Sequence, residues 1–261
     1  MKSTKIFTLS FTILLISFLG LNNSILHCQT FNIGVRTGFS VPQLSDKGTN
    51  EISKGYKSRF APVFGIYANS EFNSHFGVQL ELLYVGQGGK RNEMQPIPAE
   101  DLVGVPVPPG MTLYADFENE AVLNYLEIPV LAKYTLHLSD VVNIYGELGP
   151  YFGILLNAKT KTNGTSKIYF DKEGNSPLTD QQGNPLPAMN FNNENSITND
   201  INSFNIGLTG GIGLGIKISS VSNLNFDIRG EGGFSTIQKN TINGESTTGA
   251  LMVTAGYSVH L

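Results

Sequence analysis

Apolar and polar residues alternate along eight segments of the chain, and a period of two is typical of β-strands with two different faces. The eight predicted strands are Phe31–Ser40, Arg59–Asn69, His75–Gly86, Val122–His137, Val142–Leu156, Phe204–Lys217, Leu224–Ile237 and Leu251–Leu261. Alternating segments of about 9–11 residues are long enough to cross a bilayer as strands. The pattern therefore predicts an all-β fold, an eight-stranded antiparallel transmembrane β-barrel.

The connections between these segments alternate in length. Short ones lie at Ser70–Ser74, Leu138–Val141 and Ser219–Asn223, whereas Gln87–Ala121 and Asn157–Ser203 are long. Short periplasmic turns and long extracellular loops are the plan of outer-membrane barrels, with both termini in the periplasm. The long segments are rich in polar residues or proline, which suits surface loops. We expect loops 87–121 and 157–203 to bind an extracellular ligand or a protein partner.

Residues 1–28 have the layout of a secretory signal peptide. Lys2 and Lys5 precede a long apolar run, and a more polar stretch follows. We expect cleavage after Cys28, which leaves residues 29–261 as the barrel domain. A lipoprotein signal is the alternative, because Cys28 follows an apolar run, but His27 stands where that motif needs a small residue.

Charge and cysteine content narrow the function classes further. The signal holds two of the 17 basic residues and none of the 21 acidic ones, so the mature chain has a net charge of −6 and no cysteine. Disulfides and thiol nucleophiles are therefore not expected, and without a basic patch we expect no nucleic-acid partner. The expected partners are outer-membrane lipid and the barrel-assembly machinery that inserts such chains.

The inward faces of the predicted strands carry five acidic and three basic residues, which we expect to form a luminal charge network. They are Arg36, Glu81, Glu127, Lys133, Glu147, Asp227, Arg229 and Glu231. An eight-stranded barrel is about wide enough for its side chains to fill it. Unpaired charges in such an interior carry a large desolvation cost, so the opposite charges are predicted to pair. An acid/base pair among the glutamates is the less favoured alternative.

Four glycines also face inward on the sixth predicted strand: Gly207, Gly211, Gly213 and Gly215. One interpretation is a groove that makes room for larger neighbours such as Tyr145 and Arg229. The other is that glycine permits the strand to bend. A dinucleotide-binding loop is disfavoured, because no helix follows the glycines.

Outward-facing aromatic residues lie near both ends of the predicted strands, which suits the interfacial girdles of membrane barrels. They are Phe31, Phe76 and Tyr134 on the periplasmic side and Phe39, Tyr84, Phe204 and Phe234 on the other. The alternative is that these residues belong to the core of a soluble, lipocalin-like binding protein.

Catalytic, cofactor and metal sites are not predicted. Besides His27, the histidines are His75, His137 and His260. All three are placed at the periplasmic rim, apart from one another and without the spacing of metal ligands. The acidic segment Asp171–Asn175 lacks the ligand spacing of an EF-hand and is interpreted as a turn.

Two central segments resemble the PorT-like outer-membrane β-barrel family of Bacteroidota. They are the predicted fourth and fifth strands, Tyr125–Tyr134 (YLEIPVLAKY) and Tyr145–Gly153 (YGELGPYFG). A glycine-rich first strand, Asn32–Gly38, and the late Gly256–Tyr257 pair also match. The resemblance covers the mature chain and implies a barrel in the outer membrane. It transfers no catalytic residues.

The sequence leaves several functions open. The leading hypothesis is a non-enzymatic outer-membrane barrel whose surface loops mediate binding or envelope structure. Alternatives are a small-solute channel, which needs a continuous water path along the lumen, and a subunit of a secretion or envelope-assembly machine, which only the family resemblance suggests.

Overall fold

The structure, a computed structural model, describes residues 30–47, 53–97, 111–242 and 244–261, and the predicted signal peptide lies outside these ranges. Within them the chain forms eleven strands. They are β1 (Thr30–Asp46), β2 (Ala61–Glu71), β3 (Phe76–Ile97), β4 (Leu113–His137), β5 (Val142–Asn163), β6 (Thr165–Ser166), β7 (Met189–Asn190), β8 (Asn193–Ser196), β9 (Phe204–Ser219), β10 (Ser222–Gly233) and β11 (Ser246–His260). No helix in the described part of the chain is long and apolar enough to cross a membrane.

Eight of the strands close into a ring. The order β1–β2–β3–β4–β5–β9–β10–β11 returns to β1, and every neighbouring pair is antiparallel. In the closed ring, the backbone N–H and C=O groups of each strand are paired with both neighbouring strands. A barrel within a bilayer needs this, because the hydrocarbon offers no hydrogen-bond partners. The predicted eight-stranded antiparallel barrel is confirmed, and each predicted strand overlaps one strand of the ring.

Three short turns lie at the same end of the ring as the start of β1 and the end of β11. In the β2–β3 turn, Asn73 Oδ1 accepts hydrogen bonds of 2.8 Å from the backbone N–H groups of His75 and Phe76. In the β4–β5 turn, Ser139 Oγ accepts the N–H of Val142 at 3.0 Å. These local side-chain acceptors favour tight turns at this end, which is the periplasmic end in the outer-membrane plan.

The outer wall of the ring is a belt of apolar side chains. Ile212 is 70% exposed, and Leu208, Ile206 and Leu148 on the same side of the barrel are also exposed. Their neighbours in sequence point inward and are buried or half-buried, so the alternation continues around the ring. A continuous apolar belt over a polar interior is the surface that a lipid bilayer covers.

Strands β3, β4 and β5 are longer than the sequence pattern predicted. Gly86–Ile97 pairs with Leu113–Asn124, and Glu118–Asn124 pairs in turn with Asn157–Asn163. The predicted bounds of loops 87–121 and 157–203 are therefore wrong. The first loop begins and ends with residues that belong to strands, and the second begins with residues of β5. We call the paired segments 86–97, 113–124 and 157–163 the outer extension.

The polarity of the two faces inverts in the outer extension. Below Asn124, Glu127 points inward and Val130 outward, whereas above it Leu123 and Phe117 are buried inside and Asp116 is exposed outside. A β-bulge on β5 accompanies this change. Tyr125 pairs with Leu155 and Asn124 pairs with Asn157, so Leu156 has no partner on β4. On β4 the outer extension thus has a mainly apolar inner face and a mainly polar outer face.

Two apolar clusters lie inside the outer extension. The first joins β1, β4 and β5 to the segments around Ile201 and Ile237, and the second joins β3 and β4 to Ile168. Beside the second cluster, the chain forms the short strand β6 and two β-bridges, from Tyr169 to Tyr114 and to Pro177. The side chain of Ile168 is buried in the second cluster.

Candidate functional site

The predicted luminal residues lie inside the barrel, and Arg229 forms the centre of the largest group of contacts. Its Nη1 and Nη2 atoms donate to the two carboxylate oxygens of Glu81 at 2.6 and 2.9 Å. Its Nε atom also contacts Glu147, and Asp227 lies 4.0 Å from Nη2. A guanidinium presents its donors in a planar fork, which suits this two-point contact with one carboxylate.

Arg36 on β1 contacts two of the same acids. Its Nη1 lies 3.1 Å from Glu81 Oε1 and its Nη2 lies 3.3 Å from Asp227 Oδ2. Tyr145 donates its hydroxyl to Asp227 at 2.7 Å. Glu81, Asp227 and Glu147 are therefore each held by arginine, and all of these side chains are buried.

Lys133 lies at the periplasmic side of this group. Its Nζ is 3.7 Å from the centroid of the Tyr145 ring, a cation–π contact, and 3.4 Å from Gln79 Oε1. Gln79 in turn donates to Glu81 at 2.6 Å and Glu147 at 3.3 Å. Gln79 thus links the lysine to the carboxylates without a direct ion pair.

Glu127 and Glu231 lie together toward the extracellular end of the lumen. Gln87 donates its amide to Glu231, and no Lys or Arg within the described ranges lies within ion-pair distance of either acid. Glu127 is fully buried, and neither of its carboxylate oxygens has a hydrogen-bond donor there. The eight predicted charges therefore divide into a connected group of six, in which Lys133 is linked through Gln79, and this separate pair of acids.

The glycines of β9 make room for aromatic rings from β5. Gly207 pairs with Tyr151 and Gly213 with Tyr145 across the two strands, and a Cβ at Gly207 would lie 2.5 Å from the Tyr151 ring. The same arrangement recurs between Gly34 of β1 and Tyr67 of β2. The groove interpretation describes the packing, since tyrosine rings cover Gly207 and Gly213, while a Cβ at Gly211 would meet Arg229 and one at Gly215 would meet Asn143.

Above the lumen, the outer extension encloses a cavity of about 810 Å³. Its walls come from β3, β4 and β5, from residues 190–201, and from residues 237–246. This volume lies within the roughly 300–1,000 Å³ typical of small-molecule sites. We call it the outer cavity.

Aromatic residues and one buried arginine line the outer cavity. The rings of Phe117 and Phe191 stack with centroids 4.8 Å apart and planes 7° from parallel. Arg91 lies 5.4 Å from the centroid of the Tyr56 ring and donates to Gln95 Oε1 at 2.9 Å and to Lys54 O at 2.5 Å. Burial raises the pKa of the Tyr56 hydroxyl, which keeps that ring neutral.

Amide side chains supply most of the polar surface of the outer cavity, with seven asparagines and one glutamine in its lining. Several are oriented by backbone groups: Asn190 Oδ1 accepts the N–H of Asn192, and Asn192 Oδ1 accepts that of Gly164. Asn119 Oδ1 is buried and has no donor within the described ranges. The sequence offered one signal for this site, the inverted polarity of residues 113–124.

Two of the three histidines predicted to lie apart are close together. The rings of His75 and His137 are 6.4 Å apart at the periplasmic end, because the end of β4 passes beside the β2–β3 turn. His260 pairs with Asn32 on the far side of β1. No group of three His, Cys, Asp or Glu side chains suited to a metal ion occurs among the described residues.

Residues 22–239 match the family model described as outer membrane protein beta-barrel domain. No curated protein matches the chain. Solved structures with a similar arrangement include Ail, the attachment invasion locus protein of Yersinia pestis, at 15% identity, covering 87% of this chain and 97% of that one with a TM-score of 0.37. OprG from Pseudomonas aeruginosa has 11% identity, coverage of 88% and 95%, and a TM-score of 0.38.

The outer membrane protease OmpT from Escherichia coli has 8% identity, covering 92% of this chain and 99% of that one with a TM-score of 0.37. Identities of 8–15% transfer neither a ligand nor an activity from these proteins to this chain.

Proposed function

This chain belongs to the outer membrane protein β-barrel domain family and is an integral protein of the outer membrane, and from this premise we propose that it is a non-enzymatic binding protein that takes an extracellular ligand in its outer cavity. The observation that carries the proposal is the cavity of about 810 Å³ built by strands that continue beyond the apolar belt. Strands position side chains more rigidly than mobile loops do, which favours a preformed site.

The packing of the lumen favours binding over conduction. Arg36 and Arg229 both contact Glu81 inside the lumen, and the rings of Tyr145 and Tyr151 pack against the glycines of β9. At the periplasmic mouth, a cavity of only about 50 Å³ remains between polar side chains such as Asn69 and Asn225. We expect no steady conductance in planar bilayers; reproducible single-channel currents would favour the small-solute channel instead.

The polar residues of the outer cavity support a binding role without catalysis. His75 and His137 lie at the opposite, periplasmic end, and no histidine of the described segments lines the cavity as a base for the hydroxyls of Thr160 and Thr162. We infer that the chain has no enzymatic activity. Hydrolysis of a bound ligand that is lost when Thr160 is changed would contradict this inference.

The decisive experiment fills the cavity. Thr160 and Lys161 are neighbours on β5; Thr160 lines the outer cavity, whereas Lys161 is exposed on the outside. We expect Thr160→Trp to abolish binding of any ligand found in a panel of glycans, peptides and lipids, and Lys161→Trp to leave it unchanged. Equal binding by wild type and Thr160→Trp would overturn the proposal, provided that heat-modifiable gel mobility shows both to be folded.

We further infer that the chain belongs to the PorT-like subgroup of Bacteroidota barrels. The support is the resemblance of Tyr125–Tyr134 and Tyr145–Gly153 to that subgroup. A role as a subunit of a secretion or assembly machine would require a stable complex. Affinity purification from mildly solubilised membranes tests it: recovery of the barrel alone argues against such a subunit.

A further inference from the structure

We propose that the ligand of the outer cavity is a neutral carbohydrate, an inference that rests on the binding role proposed above. Three features of the lining point to it: many amide groups, an aromatic pair next to apolar side chains, and almost no net charge. Sugars present hydroxyl groups around their rings and apolar C–H groups on their faces, so they need this combination of partners.

The amides match the hydroxyl groups of a sugar. A primary amide offers two donors and a carbonyl acceptor, and a hydroxyl group can use both kinds. Asn190 and Asn192 line the cavity, and each uses its carbonyl oxygen to accept a backbone N–H, so their NH₂ groups are the remaining donors. Thr160 adds a hydroxyl to the same surface.

Asn119 provides the most specific contact. It pairs with Arg91 on β3 and Thr162 on β5, so the three residues form one row across the inner wall of the outer extension. Its Oδ1 atom is buried and accepts no hydrogen bond among the described residues. A buried acceptor without a donor is costly, and a ligand hydroxyl directed at it would remove that cost.

The aromatic and apolar part of the lining suits the faces of sugar rings. Phe117 and Phe191 form a stacked pair in the wall, and Ile197 and Ile201 lie in the same lining. A lipid-binding cavity would be lined mainly by apolar groups, whereas this one mixes them with at least eight amide side chains.

The charges in the lining disfavour an anionic ligand. Only Arg91, Asp200 and Lys239 are charged there. Arg91 donates to Gln95 and Lys54, and Lys239 donates to the backbone oxygen of Asn199 at 2.8 Å. Both cations are therefore held by protein groups, and neither forms the cluster of basic side chains that recognises sulfate or phosphate.

The experiment measures binding of the full-length mature protein, in nanodiscs or a sugar-free detergent, to an array of neutral oligosaccharides, sulfated glycans and peptides. We expect a neutral oligosaccharide to bind, with affinity at least tenfold lower for Asn119→Leu and for a deoxy analogue that lacks one contacted hydroxyl. Lys161→Trp is the matched control with unchanged binding.

The outcomes separate this inference from the proposed function. Binding confined to sulfated glycans or peptides, and lost in Thr160→Trp, would overturn the carbohydrate inference while supporting a binding role. Neutral oligosaccharides that bind Thr160→Trp as well as wild type would overturn the assignment to this cavity. An array without any ligand would count against both proposals.

Discussion

Replacing Arg229 by methionine tests how far the luminal ion pairs stabilise the barrel. Methionine keeps an unbranched apolar side chain of comparable reach and removes only the charged head. In the native protein that head contacts Glu81 at 2.6 and 2.9 Å and also contacts Glu147, in a region where all three side chains are at most 4% exposed. The substitution leaves two buried carboxylates with fewer partners.

The expected magnitude follows from burial rather than from the number of contacts. Removal of one partner from a buried pair costs about 3–5 kcal/mol, because the remaining charge stays desolvated. Since each 1.4 kcal/mol is a factor of ten, the folding equilibrium should fall by roughly two to four orders of magnitude. Lys159→Met is the control: Lys159 lies 2.7 Å from Glu194 but both are exposed, so the loss of this pair should change the stability little.

The assay is reversible urea unfolding in lipid vesicles, followed by tyrosine fluorescence and heat-modifiable gel mobility. A double variant, Arg229→Met with Glu147→Leu, removes one charge of each sign from the paired group and should recover part of the loss. A single variant that is no less stable than Lys159→Met would refute the reasoning. So would a double variant less stable than the sum of its single changes.

Three further predictions follow from other parts of the barrel. Gly213→Ala should destabilise the barrel by about 1–3 kcal/mol, because the added Cβ would overlap the Tyr145 ring. Gly230→Ala is the control: a Cβ there would have no atom within 4 Å, so the same urea titration should show no change in stability. Ile212→Arg, in the apolar belt, should cost about 2–4 kcal/mol in vesicles if it lies near the bilayer midplane, and Asp116→Arg on the exposed outer extension should cost little. The backbone N–H of Asn175 lowers the pKa of Asp171. The Asp171 carboxylate should therefore stabilise the 171–176 turn above pH about 3.9, and this stabilisation should be lost as the pH falls through the lowered pKa. An NMR titration of Asp171 with an ordinary midpoint would contradict this.

The fold was predictable because the apolar belt leaves a simple trace in the sequence. Side chains that face lipid and side chains that face the lumen must alternate, and residues 204–217 show this without knowledge of any neighbour. The inward position of all eight predicted charges follows from the same alternation. Which acid each arginine contacts does not, because the contact between Arg229 and Glu81 depends on strands that are 148 residues apart.

The outer extension and its cavity were harder to predict. Residues 113–124 alternate as regularly as the membrane strands, but their apolar face is the inner one, so a search for lipid-facing strands assigns them to a loop. The cavity wall also combines Tyr56, Asn190 and Gln238 from distant segments. The proximity of His75 and His137 had a similar cause, since it depends on how far the end of β4 runs past a turn.

The change in polarity of the outer surface at Asn124 has a consequence for the depth of the protein in the membrane. Moving the barrel toward the periplasm would draw the outward carboxylates of Glu118 and Glu120 into hydrocarbon, while moving it outward would strip lipid from Val130 and its neighbours. Both displacements raise the free energy. The change in polarity therefore fixes the position of the barrel along the membrane normal, and with it the height of the cavity mouth above the cell surface.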